Sequence, residues 1–288
     1  MGIHTNKKSL QQRAAEWVGR HRQTRICRFF GQTAYLFWRV YENRNFDMSS
    51  NGEEWLLQKI SSLENIRCIF DVGANVGDWL LTSSKYFPDV PIHAFEISPP
   101  VFSELQKNVA HLKNPVLNRI GLSDQGDEIT IYYSEDSNYL TTAYPEHLGD
   151  PFRMPGSKPS EPVKSLRVPV MRGDDYAGKN GIKSIDMLKI DVEGMEERVL
   201  RGFQPMFAER RIRLVQFEYN TTNIVSKFLL RDAYDFFNKL GYCVGKLYPN
   251  YVEFRDYHYR QEDFCGPNIV AVHKDDTELL ELLNSKRA

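Results

Sequence analysis

Residues 68–79, CIFDVGANVGDW, form the most informative segment of this chain. The segment begins with apolar residues that are typical of a buried strand, and this strand ends at Asp71. Gly73 and Gly77 follow, so we predict a tight turn that leads into a helix beginning near Asp78. Glycine permits positive φ angles and a close approach to a ligand, and the free N–H groups at the start of a helix are hydrogen-bond donors. The segment therefore predicts a strand, a turn and a helix that together hold a ligand.

The spacing of these glycines differs from that of dinucleotide-binding proteins. Asn75 occupies the position at which a pyrophosphate-binding turn has its second glycine, and the carboxylate of Asp71 would repel phosphate. A ligand with a cationic end suits this turn better. S-adenosylmethionine carries an ammonium group, a carboxylate and a sulfonium, so its amino-acid part matches an acidic strand end followed by backbone donors. We therefore expect S-adenosylmethionine rather than NAD.

Glu96 ends the next apolar run, PIHAFEI, and follows Asp71 by 25 residues. This offset is close to the ~20 residues at which an acidic side chain meets the ribose hydroxyls in nucleoside-binding α/β folds. A carboxylate at that position accepts hydrogen bonds from both hydroxyls. Taken alone, Glu96 is equally consistent with a surface residue at a strand end, and the glycine turn upstream favours the cofactor-binding role.

The composition is ordinary for a globular protein, with 41% hydrophobic and 26% charged residues in a chain of 288. This length suits one large domain plus an extension. The formal net charge of −1 argues against a globally basic nucleic-acid-binding protein, and we expect no DNA partner. The four cysteines form no CxxC motif, so neither a zinc site nor a disulfide framework is expected. The sequence predicts no transmembrane segment and no signal peptide, which favours a cytoplasmic location.

Residues 1–50 form a basic segment with nine Lys or Arg against three Asp or Glu, so about +6 of charge lies here and about −7 on the rest of the chain. A helix is predicted over residues 24–42 from an apolar stripe at helical spacing: Phe30, Ala34, Phe37, Trp38 and Tyr41. We favour a helical extension that packs against the domain with its basic residues solvated. The alternative is an arm that contacts a membrane surface or an acidic glycan.

Apolar runs and amphipathic segments alternate from residue 68 onward. Strands are predicted near residues 68–70, 91–97, 116–122, 185–191 and 213–218, with helices between them. This alternation predicts an α/β fold for residues 51–288, Rossmann-like and doubly wound, with an open and mostly parallel sheet. Ligands bind such sheets at the carboxyl ends of the strands. The polar strand ends at Asp71 and Glu96 should therefore converge with the turn at Leu122 and Ser123, which would face the adenine.

Residues 134–163 contain five prolines and little periodicity, which predicts a long insertion. Loops of this length in compact domains are usually functional or disordered. Because the insertion lies between strands that lead to the ligand site, it is a candidate lid over the substrate, with contacts from Tyr139, Tyr144, His147 and Arg153. An insertion that makes no contact with substrate is the alternative.

Several further motifs lie along the predicted strands and turns. They are HAFEIS, the GLSDQG turn and above all IDMLKIDVEGMEERVLRGF, with NGEEWLL before the first strand and PNIVAVHK near the end. Together with FDVGANVGDW they resemble the FkbM family of S-adenosylmethionine-dependent methyltransferases, over about residues 51–274. The resemblance implies a class I methyltransferase fold and methyl transfer to a hydroxyl of a sugar, a glycan or another small molecule. It also implies a set of cofactor-binding residues: Asp71, Gly73, Asn75, Gly77, Glu96, Leu122, Ser123 and Asp191.

Carboxylates at two predicted strand ends are candidates for the chemistry. Methyl transfer requires that the acceptor hydroxyl be aligned with the methyl group and lose its proton. Asp191 and Glu218 are either a general base or, together, ligands of a divalent cation such as Mg²⁺ or Mn²⁺ that lowers the pKa of the hydroxyl. Glu218 is also consistent with an ion pair to Lys189. His258 is another candidate base, although a lone histidine beside tyrosines is more often structural.

Two functions of other classes stay open at this point. An RNA methyltransferase would use Lys189, Asp191 and Glu218 together with the basic N-terminal arm, and its RNA binding would depend strongly on salt. A protein that keeps the cofactor fold without activity would bind S-adenosylmethionine and methylate no acceptor. The O-methyltransferase acting on a small molecule or glycan is the favoured prediction.

Overall fold

The computed structural model describes residues 8–133, 141–148, 163–266 and 268–284. The chain divides into two units, Met1–Arg44 and Asn45–Ala288. This division lies close to the boundary at residue 50 expected from the composition. Within the described ranges, no helix is both long enough and apolar enough to cross a membrane.

The N-terminal unit contains two helices, α1 (Leu10–His21) and α2 (Arg25–Tyr41). Ser9 caps α1 through a capping box with Gln12, and the side chain of Thr24 caps α2 by accepting from the N–H of Cys27, so in each helix the cap satisfies one N–H group of the first turn. The predicted helix over residues 24–42 is confirmed as α2. Helix α1 was not predicted, although Leu10, Ala14, Trp17 and Val18 recur in it at helical spacing. Neither helix contains a buried residue.

The second unit alternates strands and helices along the chain. Its helices are α3 (Met48–Asn51), α4 (Glu53–Ile60), α5 (Asp78–Tyr86), α6 (Pro99–Asn108), α7 (Pro145–Leu148), α8 (Gly173–Lys179), α9 (Glu196–Gly202), α10 (Gln204–Ala208), α11 (Thr222–Ser226), α12 (Leu230–Lys239) and α13 (Thr277–Leu283), with a 3₁₀ helix at Tyr259–Gln261. Its strands are β1 (Ile69–Val72), β2 (Ile92–Phe95), β3 (Pro115–Asn118), β4 (Gly121–Ser123), β5 (Asp127–Tyr133), β6 (Thr141–Thr142), β7 (Lys164–Arg172), β8 (Ile185–Ile190), β9 (Ile212–Glu218), β10 (Tyr242–Tyr248), β11 (Tyr251–Phe254) and β12 (Asn268–His273).

Eight of these strands form one sheet, in the order β3-β2-β1-β8-β9-β12-β10-β11. The five strands from β3 to β9 in this order run parallel to one another, and β12 is inserted antiparallel between β9 and β10. Strand order reverses between β1 and β8, which is the topological switch point where ligands bind in open α/β sheets. The predicted doubly wound, mostly parallel sheet is confirmed.

Helices cover both faces of this sheet, and the side chains of β1 alternate between the two cores. Phe70 belongs to the core formed with α8, α9, α10 and α12, whereas Ile69 belongs to the core formed with α4, α5, α6 and α13. The Phe70 ring lies 5.3 Å from the ring centre of Phe95 and 5.9 Å from that of Phe203. Burial on both faces explains why β1 is a continuous apolar run interrupted only by Asp71.

A second sheet of four strands, in the order β4-β7-β5-β6, was not predicted. The strand expected over residues 116–122 is in fact two strands, because β3 pairs with β2 in the large sheet and β4 pairs with β7 in the small one. Strand β5 pairs with β7 over seven positions. The alternating pattern of these strands identifies them as strands but carries no information about which partner each one takes.

The proline-rich insertion contributes β6 and α7 to the described residues. Tyr144 lies among them. Tyr139, Arg153 and the side chain of His147, which were also named as contacts of a lid, lie outside the described residues.

Close packing of α9 on β4 requires a glycine at the end of the helix. A Cβ atom at Gly202 would lie 2.1 Å from the carbonyl oxygen of Ser123. We expect Gly202→Ala to lower the free energy of unfolding by ~1–3 kcal/mol, because the helix and strand must separate. Denaturant unfolding measures the change.

Gly178→Ala is the matched control for that substitution. A Cβ atom at Gly178, in α8, meets no atom within 4 Å, so this variant should be neutral or more stable by up to ~1 kcal/mol. Equal unfolding free energies for the two variants would contradict the close approach of α9 to β4.

Candidate active site

A cavity of about 390 Å³ lies at the carboxyl ends of β1, β2 and β8, at the topological switch point. Its volume is within the ~300–1,000 Å³ usual for ligand pockets. Helix α4 and the small sheet contribute further walls through Glu53, Ile131 and Thr142. The predicted cofactor-binding residues that line this cavity are Gly73, Asn75, Glu96, Leu122 and Asp191. The register explains this convergence, because Val72 of β1 pairs with the last residues of both β2 and β8.

A buried ion pair joins β1 to β8 at the base of the cavity. The Nζ atom of Lys189 lies 3.1 Å from Oδ1 of Asp71 and 3.5 Å from Oδ2 of Asp191. It also lies 5.7 Å from the ring centre of Trp79, within range of a cation–π contact. Burial opposes the charge on Lys189, but the carboxylates beside it outweigh that effect and raise its pKa, so the ammonium stays protonated. This pairing differs from the one with Glu218 that the sequence suggested.

Asp71 itself does not line the cavity, although it was predicted to bind the cofactor. Its side chain is fully buried, and Lys189, which does line the cavity, neutralises its charge. Its Oδ2 atom has no hydrogen-bond partner among the described residues. The structure therefore indicates that Asp71 acts by holding Lys189.

The first turn and the turn after β8 touch each other through Gly73. This residue has a φ of +88°, and a Cβ atom there would lie 1.7 Å from the carbonyl oxygen of Asp191. Only glycine fits such an approach. Gly77, also at positive φ, precedes α5, as the sequence predicted, but it is not one of the residues that line the cavity.

Glu96 is buried and is held by two backbone donors. Its Oε2 atom accepts a hydrogen bond from the N–H of Asn75 at 3.0 Å, and its Oε1 atom accepts one from the N–H of Ser98 at 2.7 Å. Burial raises the pKa of Glu96 to about 7, although both bonds favour the charged form. Its position in the cavity excludes the alternative of a surface residue at a strand end.

The third turn supplies an apolar wall. Ile120 and Leu122 line the cavity beside Ile97 and Val170. Ser123, which was predicted to contact the cofactor, is fully buried and is not among the lining residues.

Carboxylates gather at the ends of β8 and β9. One carboxylate oxygen from each of Asp191, Glu193 and Glu218 lies within 4.8 Å of the others. Glu218 is only 8% exposed, and its Oε2 atom has no hydrogen-bond partner among the described residues. Burial, with the nearby charge of Asp191, raises the pKa of Glu218 well above its ordinary value. An arrangement of this kind is stabilised by a proton or by a bound cation.

Glu196, which was not among the predicted site residues, shapes the turn that carries this cluster. Its Oε1 atom accepts hydrogen bonds from the N–H groups of Val192 and Gly194. Burial raises the pKa of Glu196 to about 7. From the described part of the insertion, the hydroxyl of Thr142 donates to the carbonyl of Glu193 at 2.8 Å. The spacing VEGME, with an acidic residue opening a helix after a glycine turn, was the signal that could have identified Glu196.

His258 lies on the surface and is not among the residues that line the cavity. Its ring accepts a hydrogen bond from the backbone N–H of Arg260 and caps the 3₁₀ helix. This position favours the structural role over that of a base.

Residues 71–244 match the model of the methyltransferase FkbM domain, which is more than half of the chain. The chain belongs to the FkbM methyltransferase family. The match begins at Asp71 and includes every residue of the cavity discussed above apart from Glu53. The doubly wound sheet agrees with the class I methyltransferase fold that the motifs implied.

The FkbM-family chain is similar to two curated relatives. It is 29% identical over 153 residues to 31-O-demethyl-FK506 methyltransferase FkbM of Streptomyces tacrolimicus. This alignment covers 47% of this chain and 59% of the relative. It is 24% identical over 178 residues to the hexuronic acid methyltransferase AglP of Haloferax volcanii. This alignment covers 61% of this chain and 64% of the relative. The matches thus span less than two thirds of either relative.

Similarity to solved structures is low. A SAM-dependent O-methyltransferase from Thermotoga maritima aligns with a TM-score of 0.39 and 11% identity, over 77% of this chain and 64% of that one. A score this low has no bearing on function.

The pKa of Glu96 predicts a pH-dependent affinity for S-adenosylmethionine. If Glu96 binds the ribose as predicted, the hydroxyls would donate to its ionised carboxylate, and protonation below pH 7 would remove an acceptor. We expect binding to be ~10-fold weaker at pH 6 than at pH 8, measured by calorimetry. Glu96→Gln should bind at least ~10-fold more weakly at pH 8 and lose this pH dependence. Unchanged affinity in the variant would show that Glu96 does not contact the cofactor.

Proposed function

We propose that this protein transfers a methyl group from S-adenosylmethionine to a hydroxyl of a sugar, a glycan or another small molecule. One observation carries the proposal. The first turn, the buried carboxylate of Glu96 and the tip of β8 at Asp191 meet in one cavity at the switch point of the sheet. The family match to methyltransferases agrees with this arrangement.

The residues present fit the proposed cofactor. Gly73 lets the backbone of the first turn approach the Asp191 carbonyl, so this side of the cavity is formed by main chain rather than by side chains. Glu96 would accept hydrogen bonds from the ribose, and the wall that includes Ile97 and Leu122 would contact the adenine. When bound, S-adenosylmethionine supplies a methyl group already activated by its sulfonium.

The acceptor hydroxyl needs a group that takes its proton. Asp191 suits this role, because its side chain is 41% exposed and lines the cavity, and Lys189 holds its Oδ2 atom at 3.5 Å. A general base contributes ~10²–10⁴-fold to such reactions. Without a metal ion at this site, Asp191 would be the base that receives the hydroxyl proton.

The cluster of Asp191, Glu193 and Glu218 supports a divalent cation at the same place. Three carboxylates offer the hard oxygen ligands that Mg²⁺ and Mn²⁺ prefer. The Oε2 atom of Glu218 is buried without a partner among the described residues, and a cation there would stabilise its charged form. Bound there, the cation would lower the pKa of the acceptor hydroxyl.

The acceptor class rests on the chemistry of the site and on the relatives. One relative is named for methylation at an oxygen and the other for a hexuronic acid, which is a polyhydroxylated substrate. Thr141, from the proline-rich insertion, lines the cavity, and its hydroxyl, which has no partner among the described residues, would suit a polar acceptor. This placement supports the role of the insertion as part of the acceptor site.

Asp191→Asn and Glu218→Gln should each lower turnover by ~10²-fold or more while changing cofactor affinity much less, because each keeps the side-chain shape and removes the charge. The measurement is mass spectrometry of sugar acceptors after incubation with isotope-labelled S-adenosylmethionine. Glu197→Gln is the matched control. It removes a carboxylate that pairs with Arg201 on α9, outside the lining of the cavity, and should keep full activity.

Chelation with EDTA distinguishes a mechanism with a bound divalent cation from one in which Asp191 is a general base. Loss of activity in EDTA with recovery in Mg²⁺ or Mn²⁺ would support the cation at the carboxylate cluster. Activity that persists in EDTA but falls in Asp191→Asn would leave Asp191 as a base without a metal. Normal turnover in both variants would contradict the catalytic assignment, and methylation of RNA in preference to sugars would contradict the acceptor class.

A further inference from the structure

Helix α2 presents a continuous apolar face that the proposed reaction does not use. Six of its large apolar residues are each between 63% and 78% exposed: Ile26, Phe29, Phe30, Phe37, Val40 and Tyr41. At 3.6 residues per turn, these six positions fall within a sector of ~120° around the helix. No residue of α2 is buried. The stripe was expected to pack against the domain, and within the N-terminal unit itself no part of it is buried.

The opposite face of α2 is basic. Arg25, Arg28 and Arg39 fall with Gln32 within ~60° of one another on the helical wheel. The unit Met1–Arg44 contains nine Lys or Arg and two Glu, which gives it a formal charge of +7. A wide apolar face with aromatic residues beside a basic face is the pattern of helices that lie in the interface of a membrane.

The charge of the N-terminal unit favours a lipid surface over a second copy of the chain as the partner of the apolar face of α2. A symmetric pair of chains would bring together two units that each carry +7, and like charges repel across such an interface. An anionic bilayer supplies the opposite charge, since basic residues near anionic headgroups are attracted to them. The length of α2, 17 residues with three arginines, fits a position along the surface rather than across it.

We propose that α2 binds the surface of an anionic lipid bilayer. Its apolar face inserts at the boundary between headgroups and acyl chains, and its arginines contact the headgroup phosphates. The proposal concerns the N-terminal unit alone and does not depend on the reaction in the second unit.

Sedimentation of the full chain with vesicles tests this proposal. We expect binding to vesicles of phosphatidylcholine that contain phosphatidylglycerol, weaker binding to phosphatidylcholine alone, and a loss of affinity at high salt. Replacement of Arg28 or Arg39 by Gln should weaken binding by about fivefold for each charge removed.

Two variants of α2 distinguish the contribution of apolar insertion to vesicle binding from the contribution of net charge. Phe37→Glu places a charge on the apolar face and should weaken binding by more than ~10-fold. Gln32→Glu makes the same change in net charge on the basic face and should weaken it by about fivefold at most. Both residues are exposed, so both variants should unfold at the temperature of the unmodified protein.

Three outcomes would overturn the proposal. They are failure of the unmodified protein to bind anionic vesicles, equal affinity of Phe37→Glu and Gln32→Glu, and a dimer that Phe37→Glu dissociates without any vesicle binding. The last result would assign the face to a contact between two copies of this chain.

Discussion

The ion pair between Asp71 and Lys189 is the interaction on which the site depends. Both side chains are buried, 0% and 7% exposed, on adjacent strands at the switch point of the sheet. Burying two charges is expensive, and such a pair often stabilises a fold no better than apolar residues would, whereas removing one partner costs about 3–5 kcal/mol. This pair matters for the site because of its position, since Lys189 lines the cavity and its Nζ atom lies 3.5 Å from Oδ2 of Asp191 at the cavity edge.

The rest of the cavity follows from the alignment of three strand ends. Because β1, β2 and β8 end in register, the residues after each strand meet at one edge of the sheet. Gly73 then allows the first turn to contact the turn after β8, and Glu96 accepts a hydrogen bond from the first turn at Asn75. The turns after β1, β2 and β8 therefore contact one another, and a substitution in one of them should shift the backbone of the others.

Local patterns in the sequence predicted most of the residues at the edge of the sheet where the cavity lies. An apolar run, an acidic residue and spaced glycines are all contained within a few residues, so Gly73, Glu96 and Asp191 could be placed at this edge of the sheet from the amino-acid sequence alone. The partners of these residues could not be assigned in the same way. Lys189 pairs with Asp71 only because β1 and β8 are neighbours, although 118 residues separate the two in the chain.

The same limit explains the second sheet and the missed residues. Strands β5 and β7 have ordinary alternating patterns, but their pairing depends on the fold of the intervening segment. Glu53 reaches the cavity from α4, and its carboxylate accepts a hydrogen bond from Gln216 across the domain. Ser123 was assigned to the cofactor from its turn, whereas the approach of α9 at Gly202 buries it away from the cavity.

Calorimetric titration of the full chain with S-adenosylmethionine, and separately with NAD, measures most directly whether this cavity is a methyl-donor site. Glu96 and the glycine turn predict saturable binding of S-adenosylmethionine and no measurable binding of NAD, because the turn lacks the second glycine of a pyrophosphate site. Binding of NAD without any response to S-adenosylmethionine would contradict it.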